Sequence, residues 1–160
     1  MDAKTRKTAI NLITLGTGVV FFGIWTLVKS LVSFILLDAE LHENLTEEMI
    51  LFTKIFFWAL IGVSFILNLY VGLSARALGK GKNKSSFFLV VAGIIVFFRS
   101  IIAAIELIGA FLDYGDTINL IITAFIDITT IVFLVELMVY SIRLKKIRKA
   151  EPAKEAEHEL

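Results

Sequence analysis

The sequence predicts an all-α polytopic membrane protein, a four-transmembrane-helix bundle with its N- and C-terminal ends on the cytoplasmic side. Three observations predict it. The chain is 58% hydrophobic with a mean hydropathy of +0.85, whereas a soluble domain runs near about 45–50% apolar. Its apolar residues fall into four long runs, and its only proline, Pro152, lies outside all of them. Eleven of its sixteen lysines and arginines gather in three segments that four crossings bring to one side.

Lys4, Arg6 and Lys7 precede the first apolar run, which extends from Ala9 to Leu37 and is broken only by Lys29. A secretory signal peptide has a shorter apolar region and a small-residue cleavage site, so this run reads as a retained helix over about residues 9–37. Asp38 to Glu48 is acidic, with no Lys or Arg. Asn44 followed by Glu47 has the pattern of a helix N-cap with an acidic residue at the third helical position. The second helix is expected over about 45–78, with Lys54 near its start and Arg76 near its end. Gly79 to Lys84 is a basic turn, and Ser85 or Ser86 can cap a third helix over about 86–112. Asp113-Tyr114-Gly115-Asp116 is a short acidic turn, with Asp116 as the expected cap of a fourth helix over about 117–142. Five basic residues follow, Arg143, Lys145, Lys146, Arg148 and Lys149, and residues 150–160 form a polar, charged tail, expected to be frayed or a weak extension of the helix.

An apolar layer of about 30 Å takes about 20 helical residues at 1.5 Å each, and every run meets that length. A water-soluble bundle would carry a polar stripe on each helix. Leu60–Leu67 and Phe87–Phe98 carry almost none. The N-terminal segment, the Gly79–Lys84 turn and the Arg143–Lys149 run are basic, and the other two connections contain no Lys or Arg. By the positive-inside rule the basic side is the cytoplasm. Cysteine is absent, which excludes disulfides and thiol chemistry.

Ionisable and amide side chains inside the apolar runs are the candidate functional residues: Arg99, Glu106, Asp127, Glu136 and Asn68. A lone arginine near the middle of a spanning helix costs about 2.5–3.5 kcal/mol on insertion scales, so Arg99 requires a partner. Helical spacing puts Arg99, Ala103, Glu106 and Ala110 on one stripe of the third helix. It puts Leu120, Thr123, Asp127, Thr130 and Leu134 on one stripe of the fourth. The short turn between these helices makes them antiparallel neighbours, and counting inward from it brings Asp127 within about one turn of Arg99. Glu136 and Asn68 lie seven and eight residues before Arg143 and Arg76, at a common depth, so an interhelical hydrogen bond between them is expected. Lys29, Lys54 and Glu106 are expected near the outer boundary, where their charges neutralise one another or their long side chains snorkel to the headgroups. Gly16, Gly18 and Gly23 on the first helix, and Ser100 with Ala104 on the third, are small-residue packing faces.

His42 and His158 fall outside the spans, and no zincin, nucleophile-elbow, phosphate-loop or dinucleotide motif is present. No cofactor, metal or nucleic-acid partner is expected. The number of spans is similar to that of the small multidrug resistance exporters, but these carry an essential glutamate in the first helix, where Ala9–Leu37 has no acidic residue. The sequence therefore points to a non-enzymatic accessory or interaction protein of the cytoplasmic membrane, in contact with lipid and with other membrane proteins or itself. The alternative is a minimal transporter or ion channel working as an oligomer through Arg99, Asp127 and Glu136.

Overall fold

The computed structural model describes residues 3–44, 46–112 and 117–158. They form four helices, α1 (Ala3–Asn44), α2 (Glu47–Gly79), α3 (Phe87–Phe111) and α4 (Thr117–His158). All four contain a stretch long and apolar enough to cross a membrane. Two helices run further than expected. α1 continues past residue 37 to Asn44, because Asp38 to Asn44 contains neither Gly nor Pro and includes the strong helix formers Ala, Leu and Glu. Asn44 therefore ends a helix, and the residue preceding α2 is Thr46, in extended conformation. α4 does not stop near residue 142. It continues through the basic run and Pro152 to His158, so part of the expected polar tail is helical. The expected cap Asp116 and the turn from Asp113 lie outside the described residues.

The α2–α3 turn is built from backbone hydrogen bonds. Gly81 has φ of 93°, a conformation that a Cβ disfavours. Its N–H donates to Leu78 O at 3.1 Å, and Lys82 N–H donates to Ala77 O at 3.0 Å. This pair of bonds is the Schellman arrangement, which satisfies carbonyls left over at a helix C-terminus. Arg148 from α4 adds a third donor, its Nη1 2.9 Å from Leu78 O. Lys145 Nζ donates to Ser86 Oγ at 2.9 Å and lies 5.6 Å from the centre of the Phe88 ring. The extension of α4 thus fastens the turn between α2 and α3. At the start of α3, Ser86 holds the N-cap position without a side-chain cap bond, and the neighbouring Ser85 Oγ accepts from Phe87 N–H at 3.3 Å.

α1 packs most closely against α2, and α3 against α4; the two hairpins meet along α1 and α4. The α1–α2 contact is a backbone contact. A Cβ placed on Gly16 would stand 2.7 Å from Gly72 O, and one on Gly72 would stand 2.7 Å from Gly16 O. One turn or two further along, Gly79 meets Ala9 and Ile13, while Gly23 meets Asn68. In an apolar solvent no hydrophobic force drives helices together, and such close approach supplies the dispersion contact instead. Gly18 faces the other way, onto the Phe133 ring of α4. The fully buried side chains Leu12, Val19, Val71, Phe88, Leu134, Leu137 and Leu144 form a core in the half of the bundle nearest the basic segments. The other half is looser. Met49, Leu51, Phe52, Ile55, Phe56 and Leu60 of α2 are all exposed.

Candidate functional site

Arg99 occupies the middle of α3, the thirteenth residue of its 25 (99 − 87 + 1). It is 7% exposed, and Ala103 on the same stripe is 4% exposed. On α4, Thr123 and Thr130 are buried on either side of Asp127. The two stripes face each other, and Arg99 Nη1 forms an ion pair with Asp127 Oδ1. The other end of the guanidinium crosses to α1, where Nη2 donates to Thr26 Oγ1 at 3.0 Å. Thr26 in turn donates to Phe22 O at 2.8 Å, so its hydroxyl is used in both directions. One arginine therefore ties together three helices, although α1 and α3 are not packed neighbours.

Glu106 stands two turns further along α3 and is half-buried. It interacts electrostatically with Asp127, Lys29 and Arg99. Lys29, expected at the same level as Glu106, is half-buried and belongs to this group. The four side chains carry two formal charges of each sign, so the network is neutral as a whole. Glu106 Oε2 is buried without a hydrogen-bond partner among the described residues. Beside Thr26, a crevice lined by Gly23, Ser30, Ile61 and Ser64 encloses about 20 Å³, room for one water molecule.

The expected Asn68–Glu136 bond is not formed. Asn68 is 1% exposed and donates from Nδ2 to Ser64 O, one turn back in its own helix, at 2.8 Å. Its Oδ1 has no partner among the described residues. Glu136 is exposed. The physical reason is the packing order. Asn68 faces Gly23 of α1, so α1 stands where Glu136 was expected, and equal depth does not bring two diagonal helices together. Ser100 and Ala104 also face outward, with Ser100 Oγ donating to Val96 O of its own helix. Thus the structure gathers Arg99, Asp127 and Glu106, adds Thr26 and Lys29, and leaves Asn68 and Glu136 apart. Thr26 carried no sequence signal of its own, since a threonine in an apolar helix is ordinary. No group of three or more potential metal ligands occurs among the described residues.

Comparison with protein-family models, with curated proteins and with solved structures finds no match.

Proposed function

We propose that this chain is a multi-pass protein of the cytoplasmic membrane, N-in and C-in, that acts without catalysis as an accessory or interaction protein. The reading is supported above all by the use made of Arg99. Both ends of its guanidinium are engaged inside the bundle, by Asp127 and by Thr26. A charge compensated in this way fixes which helices meet and in what register, which is the best-attested use of a buried ion pair. The function then falls to the outward faces, where small and polar residues meet the surroundings. The positive-inside pattern supports the orientation. Reporter fusions after Lys84 and Lys149 are expected to read cytoplasm and fusions near Glu43 and Tyr114 the outside; a cytoplasmic signal at Glu43 overturns the four-span arrangement.

A second reading, a minimal transporter or channel, is favoured by one observation. The unpartnered Oε2 of Glu106 belongs to a charged network that also reaches Thr26, beside a crevice with room for a water. Ion and proton flux in proteoliposomes separates the two. The accessory reading expects no flux above empty vesicles for the ions tested. Wild-type flux that Asp127→Asn abolishes in a protein that still folds replaces it with the transporter.

A further inference from the structure

Glu136 and Arg76 are the charged side chains that the bundle leaves without partners inside its apolar length. Neither makes an ion pair or a side-chain hydrogen bond among the described residues. Charged groups in spanning helices are costly and nearly always face the interior of a bundle. Glu136 is exposed, beside Val132, Val135 and Val139 on the outward face of α4. Arg76 is half-buried at the edge of α2, its Cγ 2.9 Å from a Cβ built on Gly16.

Their places around α1 are related. α1 is held by α2 on one side, through Gly16 and Gly72, and by α4 on another, through Gly18 and Phe133. Its remaining face, with Ile10, Thr14, Thr17, Phe21 and Trp25, is exposed. At 100° per residue Glu136 stands about 60° from Phe133, between the α1 contact and the outward Val132. Arg76 stands about 40° from Gly72, between the α1 contact and the exposed Leu73. The carboxylate and the guanidinium therefore flank the same open face of α1, one on each side. Their levels also match. Glu136 is three residues beyond Phe133, and Arg76 four beyond Gly72, both toward the basic end, so they lie within about one helical turn in depth.

We propose that a second copy of this chain docks on the outward face of α1, with Glu136 of each copy paired to Arg76 of the other. Copies inserted in the same orientation are related by a twofold axis along the membrane normal. Such an axis preserves depth and exchanges the two flanks of the α1 face, which brings opposite charges together twice. A partner of another kind could bring one complementary charge; a second copy brings both, already spaced. The proposal deepens the interaction reading and needs the common orientation of copies, but not the absence of transport.

Because the chain has no cysteine, single cysteines report the interface cleanly. In liposomes at low protein-to-lipid ratio, Thr17→Cys is expected to give a disulfide-linked dimer. Phe97→Cys, on the exposed side of α3, is expected to give at least tenfold less. Energy transfer between donor- and acceptor-labelled copies is expected to fall at least tenfold in apparent affinity for Glu136→Lys alone and for Arg76→Glu alone. Mixing the two single variants restores it, because each pair in the mixed dimer again joins opposite charges. Equal cross-linking at positions 17 and 97, or single variants that dimerise like wild type, overturns the proposal. Where a reversal prevents folding, Glu136→Gln and Arg76→Gln replace it, with a smaller loss expected and partial rescue on mixing, because the mixed dimer regains one of the two Glu136–Arg76 pairs. If the dimer is absent while the reporter fusions still place Lys84 and Lys149 inside, only this inference fails. If the fusions fail, the orientation beneath it fails as well.

Discussion

The two halves of the bundle are held together differently. Toward the basic segments, Gly16 and Gly72 bring backbones into contact, and seven side chains from Leu12 to Leu144 are fully buried around them. Toward the acidic connections the fit is looser, much of α2 is uncovered, and the helices are joined through Arg99, Asp127 and Thr26. Shape specifies one half and charge the other. The comparison teaches that lost shape degrades gradually, since side chains can shift. A lost charge leaves its partner unpaired in a buried site.

The largest effect is therefore expected at the ion pair. Arg99→Leu and Asp127→Leu should each lower stability by about 3–5 kcal/mol, since each leaves one buried charge unpaired. The double variant should recover much of that loss. Thermal unfolding in mild detergent measures all four proteins, and additive losses would show that the two residues do not act as a pair. Thr26→Val should cost less, about 0.6–2 kcal/mol, as interhelical hydrogen bonds in membranes do.

Next comes the glycine contact. Gly72→Val places methyl groups against Gly16 O and Val20, at an expected cost of about 1–3 kcal/mol. Gly62 has nothing within 4 Å of an added Cβ, so Gly62→Val in the same helix should leave stability nearly unchanged. Equal effects at the two positions would dissolve the contrast between packed and open halves. Gly81→Ala, which forces a Cβ onto a φ of 93° in the turn, should cost about 1–2 kcal/mol. The smallest effect is expected at Glu136. In monomeric, detergent-solubilised protein, Glu136→Leu should change stability by no more than about 0.5 kcal/mol, as at any exposed site without a partner. A loss of several times that would reinstate a contact inside the bundle.

The sequence disclosed the helices because apolar length is a one-dimensional property, and it disclosed the Arg99–Asp127 contact because a short turn fixes which helices are neighbours and where counting starts. Asn68 and Glu136 defeated the same reasoning. Their depths match, but depth is one coordinate, and the rotation of each helix and the interposed α1 decide whether they meet. Thr26 was hidden for a related reason, as its partner arrives from a helix that α1 does not pack against. The helix ends failed differently. Asp38–Asn44 and Arg143–Ala150 are polar yet helical, because polarity marks the end of an apolar stretch and not the end of a helix.

The chain also has an order in time. On the membrane reading proposed above, α3 is made before α4, so Arg99 enters the bilayer while Asp127 is still unsynthesised. Thr26 is already in place, but a hydroxyl does not neutralise a cation. During that interval α3 must remain inserted on its own account, against the roughly 2.5–3.5 kcal/mol that a central arginine costs. Each Leu, Ile, Phe or Val near its centre returns about 0.3–0.6 kcal/mol. Of the four spans α3 is the most apolar. The helix that carries Arg99 ahead of Asp127 is thus the one whose remaining residues best keep it in the bilayer until biogenesis delivers that partner.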